Sequence, residues 1–349
     1  MENRIRRVRR RPVAGGSTVV SLTMGIAILA SGRSGIAEDI VTVKRSNAVG
    51  ETRRQGTIID YTGRTLTLRL PSGRDEQIES SRVTGYETEL VPAHRDADQM
   101  FAEGRFTDAL VSYREAIQNE RRGWVRRVIL ARMTRCYSNM QQIIQAGEAF
   151  RLLLQSDPET QLFGAIPLAW VSSTPSPDVV ERANQWIGSS DMPAVQLMGA
   201  SWLLGTAHRQ RAIEVLGTLT AARDPRVAGL AESQLWRDRL VTASLEESQR
   251  WEEQVRSLDV SLRAGPYFML GQLLARHGLN KAAALAFVRV PVQYSAQQDL
   301  AAEALFAAGE QLEKAGEHEE AQAVYQELTR EHAGHRLVPL AWQKLRQDR

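Results

Sequence analysis

The residues of this sequence best suited to chemistry lie near its C-terminal end. His332 and His335 flank an Ala-Gly pair, with Glu331 adjacent and His318 in the segment before. Imidazole nitrogens at this spacing could share a transition metal with a carboxylate as third ligand. The pair falls, with its glycine, between two predicted helices, and no third ligand has the spacing of a zinc site, so a surface loop is the expected reading. His94, His208 and His277 are scattered singly. Cys136 is the only cysteine, which excludes an intrachain disulfide, and its place in an apolar helical stretch predicts a buried, inert thiol. Glu317, Glu319 and Glu320 suit a solvated helix start, where the helix dipole favours negative charge. The chain contains no nucleophile elbow, phosphate loop, dinucleotide fingerprint or Cys-x-x-Cys pair. These patterns predict a protein that is not an enzyme and has no cofactor or metal.

Two textures of sequence position these side chains. Residues 38–90 are short β-branched runs, IVTV, GTIIDY, RTLTLRLP and EQIES, with turn residues at Thr62-Gly63 and Pro71-Ser72-Gly73. In TLTLRL the leucines at 66, 68 and 70 alternate with Thr65, Thr67 and Arg69, the period of a half-buried strand. From about residue 92 the pattern is helical. Ser176-Pro177, Asp224-Pro225 and Ser244 with Glu247 mark helix starts. TPSPD at 174–178 reads as a loop and an internal boundary. Trp170, Trp186, Trp202, Trp236 and Trp251 all fall in predicted helical stretches and are expected in the core.

One spacing recurs in the helical part. Gly104, Ala109 and Tyr113 stand at offsets 0, 5 and 9, and so do Gly316, Ala321 and Tyr325. The same offsets find Gly278, Ala283 and Phe287, and, with Gln141 in the glycine position, Ala146 and Phe150. A glycine permits the tight turn between two helices, an alanine allows their closest approach, and an aromatic fills the space one turn later. These units resemble tetratricopeptide (TPR) repeats. The turn positions lie 37 residues apart in the first two units and 38 in the last two, longer than the 34 of the standard repeat. Stretched units of this kind resemble those of bacterial envelope proteins in the outer-membrane assembly and cell-division coordination families. The run GTIIDYTGRTLTL resembles the centre of SH3-like and Sm-like small barrels.

The N-terminus has its own pattern. Arg4, Arg6, Arg7, Arg9, Arg10 and Arg11 precede an uncharged run from Val13 to Ala30 and a small-x-Ala exit at Gly35-Ile36-Ala37. That pattern predicts a secretory signal, or, if uncleaved, a membrane anchor. Removal of residues 1–37 takes seven basic and one acidic residue from the 44 and 41, leaving 37 − 40 = −3. A mildly acidic mature chain lacks the basic footprint of a nucleic-acid binder. Residues 38–90 carry eight basic and nine acidic side chains, with Tyr61 and Tyr86 the only aromatics, and so offer no stacking platform.

The expected architecture is mainly α: an α-solenoid of TPR-like hairpins preceded by a small all-β, SH3-like barrel. The expected divisions are 1–37 as signal or anchor, 38–90 as the barrel, and 91–173 as TPR-like repeats. A degenerate helical-repeat segment of HEAT or TPR type follows over 174–262, then further TPR-like repeats over 263–349. The resemblance implies an exported, non-enzymatic scaffold that binds protein or peptide partners in the periplasm or cell envelope. It touches membrane only through an uncleaved N-terminal segment, and its oligomeric state is left open. The alternative is a membrane-anchored accessory subunit of an enzyme or secretion complex. Carried onto this chain, the TPR groove offsets imply His94, Asp98, Arg135, Asn139, Gln272, Arg276, Glu310 and Glu313 as peptide-groove positions.

Overall fold

A computed structural model describes residues 38–45 and 50–347. The predicted signal or anchor lies outside the described residues. Five strands come first: β1 (Asp39–Lys44), β2 (Glu51–Tyr61), β3 (Thr65–Arg69), β4 (Asp75–Glu79) and β5 (Val83–Glu87). They form one antiparallel sheet in the order β4-β3-β2-β1-β5. The alternation in TLTLR does what its period predicts: Leu66 and Leu68 are buried while Thr65 and Thr67 stay partly exposed. Val41, Val43, Ile58 and Ile78 complete the same face. Bulges between Thr42 and Val43 and between Ile58 and Asp60 interrupt the register, and such insertions bend a strand.

Fourteen α-helices follow among the described residues, of which the first four are α1 (Pro92–Ala102), α2 (Phe106–Asn119), α3 (Gly123–Asn139) and α4 (Ile143–Ser156). The sheet shares its core with them. Trp124 of α3 is 2% exposed, donates its indole N–H to the Ile58 carbonyl at 3.2 Å, and meets Tyr86 edge-on at 5.2 Å. Arg127, one turn on, bonds Asp60 and the Tyr61 carbonyl. Gly63 in the β2–β3 turn donates its N–H to Asp157 at 2.9 Å, beyond the end of α4. A side chain at Gly63 would collide with the Glu159 backbone. Buried packing and paired polar groups thus fix the strand module to the helices.

The recurrent spacing corresponds to one local structure. Gly104, Gly278 and Gly316 have φ of 74°, 73° and 77°, and Gln141 has φ of 57°. Each sits between two tightly packed helices: α1 and α2, α3 and α4, α10 (Ala264–Arg276) and α11 (Asn280–Gln293), and α12 (Gln298–Lys314) and α13 (His318–Glu331). In all four the residue after the turn donates its N–H to the carbonyl five residues back, as Arg105 to Met100, Gln142 to Tyr137, Leu279 to Leu274 and Glu317 to Leu312. This bond satisfies a carbonyl that the helix end would otherwise orphan, and it demands a left-handed residue. Ala109, Ala146, Ala283 and Ala321 are fully buried, and Tyr113, Phe150, Phe287 and Tyr325 nearly so. Seven residues before each turn stands Ala97, Thr134, Gly271 or Gly309. At the last two, an added Cβ would lie 2.7 Å from the Phe287 ring and 2.4 Å from the Tyr325 ring. In these two pairs the aromatic of the second helix seats on a bare patch of the first.

Between these pairs lie α5 (Pro177–Ile187), α6 (Pro193–Leu203), α7 (Arg209–Leu219), α8 (Pro225–Arg239) and α9 (Leu245–Ser257), and the last helix is α14 (Val338–Gln347). The predicted starts hold: α5 and α8 begin at Pro177 and Pro225, and the Glu247 carboxylate accepts the Ser244 N–H at 2.8 Å. α6, α8, α10 and α12 pack each on the next. Far apart in sequence, the end of α3 meets the start of α12: Asn139 donates to the Ala296 carbonyl at 3.3 Å and accepts from the Asp299 N–H at 3.4 Å.

Three expectations are corrected. The break before α5 is not confined to 174–178 but runs from Asp157 to Ser176, with a short 3-10 turn at Gln161–Ala165. Trp170 belongs to that irregular stretch and not to a helix. His335 is not a surface-loop side chain, because only 10% of it is exposed and it reaches the carboxylates of Asp299 and Glu303 at 3.3 and 3.5 Å.

A Cβ added at Gly316 would meet open space, so substitution there isolates the backbone contribution. Gly316→Ala should lower stability by roughly 1–2 kcal/mol in urea denaturation, the cost of forcing an alanine left-handed. Gln141→Gly should raise it by up to about 1 kcal/mol, relieving the same strain. Ala321→Trp should cost about 1–3 kcal/mol or more by overpacking the helix contact.

Candidate functional site

The irregular stretch crosses the interior of the helical region in an extended form. Its backbone there needs partners, and buried side chains supply them. The Ala169 N–H donates to Ser201 Oγ at 2.9 Å, and the Ala169 carbonyl accepts from Gln234 Nε2 at 3.1 Å. Ser201 in turn donates to Gln234 Oε1 at 3.0 Å, and both side chains are wholly buried. Arg237 closes the network on Gln234 Oε1 and the Ser201 carbonyl, each at 2.8 Å. Burial pushes the Arg237 guanidinium down to about 10. One step back, Trp202 donates to the Pro167 carbonyl at 2.9 Å. One step forward, Trp170 lies on Gly265 of α10, where a Cβ would come within 1.9 Å of the indole.

This segment walls one side of a cavity of about 270 Å³, flanked by the end of α3 and the start of α12 and open to solvent beside Gln141, Ser173 and Arg336. Ile166, Leu168, Trp170, Trp202 and Leu300 make much of the wall apolar. Its charged members are Arg135, Asp299, Glu303 and Arg336. Arg336 Nη2 meets Glu303 at 2.5 Å, and His335 bridges Glu303 and Asp299. The Leu337 N–H points at His335 Nδ1 at 3.3 Å, which leaves Nε2 to carry the proton toward the carboxylates. Burial raises the Glu303 pKa above the usual range, while Arg336 and His335 pull it back. Asn139 uses both ends of its amide on the loop before α12 and on α12 itself. Arg135 differs. It has no hydrogen bond or ion pair among the described residues, and burial, with Arg132 adding to it, pulls its guanidinium down to about 10.

Of the eight groove positions implied by the resemblance, Arg135 and Asn139 line this cavity. His94 and Asp98 are packed between α1, α2 and α3 instead. Tyr113 donates to Asp98 at 2.5 Å, and Arg132 Nε reaches the same carboxylate at 3.5 Å. The His94 ring is 1% exposed, and neither of its nitrogens has a hydrogen-bond partner among the described residues. Gln272 and Arg276 on α10 and Glu310 and Glu313 on α12 lie outside the cavity wall, with Glu313 paired to Lys344 at 2.5 Å. Cys136 is buried and its thiol is pushed up to about 12, which keeps it protonated. Among the described residues no group of three or more His, Cys, Asp and Glu side chains could hold a metal ion. Trp170, Trp202, Asp299, Glu303 and Arg336 share no spacing that marks them as a group in the sequence. Pro167 and Pro175, bracketing a run without helical period, were the available signal for the crossing segment.

With this geometry described, comparison with known proteins supplies no relative: no family model matches the chain, and no curated protein matches it.

Ser201→Ala would strand the buried Ala169 N–H, and a loss of about 1–3 kcal/mol is expected by chemical denaturation. His94 supplies a pH dependence. Its folded-state pKa is lowered, first by burial and then by Arg132 and Arg122, against the opposing pull of Asp98 and Glu120. The unfolded chain therefore takes up the proton first. The contribution of neutral His94 is complete above the unfolded pKa of about 6.5 and is lost as pH falls below it. A urea midpoint that declines from about pH 7 to 5 is expected, with a shallower decline in His94→Gln.

Proposed function

We propose that this protein is an exported, non-enzymatic scaffold for protein–protein interaction in the cell envelope, built as a TPR-like α-solenoid behind a small SH3-like barrel. The observation that carries the reading is the fourfold recurrence of one hairpin, with its left-handed turn residue, buried alanine and buried aromatic. Units that bury their apolar face only against neighbours stack into extended surfaces, and such surfaces serve recognition. The strand order supports the barrel, since β1 lies between β2 and β5 and brings the two ends of the module together. A short 3-10 turn at Ser80–Arg82 leads directly into β5. The exposed ends of α10 and α12, with Arg276 and the partly exposed Gln272 and Glu310, offer partners mixed charge without a basic patch.

Export is the expectation drawn from residues 1–37. No helix among the described residues is long and apolar enough to cross a membrane. The anchored accessory-subunit alternative differs in the fate of that N-terminal segment.

Two measurements test the proposal. Mass spectrometry of the protein from envelope fractions should show a mature N-terminus near Glu38, and an intact N-terminus would favour the anchored reading. A photo-crosslinker placed at Arg276 or Glu310 in cells should give discrete protein adducts. A crosslinker at Val111, exposed on α2, serves as the control. Equal, diffuse labelling from all three positions would overturn the scaffold reading.

A further inference from the structure

The charged side chains of the cavity are unevenly paired. Four charged side chains line it, and three are matched: Glu303 with Arg336, and Asp299 with His335. Arg135 is left without a partner among the described residues, in a wall where two tryptophans, two leucines and two isoleucines stand beside polar Ser138, Asn139, Gln141, Ser173 and Gln297. Arg135 is half-buried rather than withdrawn from water, and its unpaired N–H donors border the open space. The space beside it is large enough for more than water, at about 270 Å³. The extended segment from Ile166 to Val171 already occupies one side of the interior, held by Ser201, Gln234 and Trp202. What remains open is a compartment suited to a small molecule.

We propose that this cavity is a binding site for a small organic monoanion, a carboxylate carried on an apolar or aromatic body, with Arg135 pairing the carboxylate. A guanidinium presents parallel N–H donors that match the two oxygens of a carboxylate. The two tryptophans and Leu168 supply the surface for the apolar body. Charge sets the limit of one negative group, because Glu303 and Asp299 border the same space and would repel a second. The scaffold function does not enter this inference, which concerns one small-molecule pocket and stands or falls separately.

The test uses the mature chain and anilinonaphthalene sulfonate, a fluorescent monoanion with an apolar aromatic body. One saturable site is expected, with phenylbutyrate displacing the probe at concentrations at least roughly tenfold below those needed for the neutral phenylbutanamide, the difference of one charge-assisted pair. Arg135→Gln should weaken probe binding by a similar factor while the melting temperature stays about equal, and Arg135→Lys should restore part of it. Absence of saturable binding, equal displacement by acid and amide, or full affinity in Arg135→Gln would each overturn the proposal. The acid–amide comparison is made on the unsubstituted chain, so it decides the matter even if a variant fails to fold.

Discussion

An extended backbone in the middle of a helical protein is tolerable only if its amides are bonded, and that constraint governs the interior of this molecule. Ser201 and Gln234, both wholly buried, take the N–H and the carbonyl of Ala169 and bind one another. Around this pair the apolar packing divides. One core cluster runs from α3 through α8, another from α8 through α12, and Trp170 packs against both. The two amide bonds act with the Trp202–Pro167 bond and the packing of Trp170 to keep the segment against the inner faces of α6, α8 and α10. Polar satisfaction at a few atoms thus conditions hydrophobic burial over much of the helical region.

Much of the hairpin geometry was legible in the sequence because it rests on local chemistry. A left-handed residue, a small residue and a ring at fixed offsets encode a turn and a contact within about twenty residues of chain. Gln141 shows how firmly the geometry is held: the turn forms with φ of 57° although the residue is not glycine. The strand periods and the helix starts at Pro177 and Pro225 were legible for the same reason. The cavity was not. Arg135 and Asn139 stand out in the sequence only as helix-face positions, but what makes them notable is the arrival of Asp299 and Glu303 from about 160 residues away, and no local period records that meeting. His335 escapes sequence reading for a related reason. A glycine-containing link between helices reads as solvent-exposed, whereas here it turns an imidazole onto two buried or half-buried carboxylates.

The strand module illustrates a similar limit. Its alternating leucines announce a sheet, but its attachment depends on Trp124, which belongs to a helix and reads as ordinary core. By placing the indole N–H on the Ile58 carbonyl and Arg127 on Asp60, α3 serves as wall for the sheet on one side and as partner of α4 on the other. The division near residue 90 that composition suggests is therefore a change of secondary structure within one shared core.

The bonds between Asn139 and the 296–299 segment carry a kinetic consequence. A stack of hairpins touching only its neighbours can fold from any point and propagate, since each contact closes a short loop. Here two amide hydrogen bonds join residues separated by 157 and 160 positions. Contacts of such sequence separation raise the contact order of the fold, and higher contact order goes with slower folding. The cavity, framed by the two elements that these bonds join, is therefore a product of the whole helical region and not of any one hairpin.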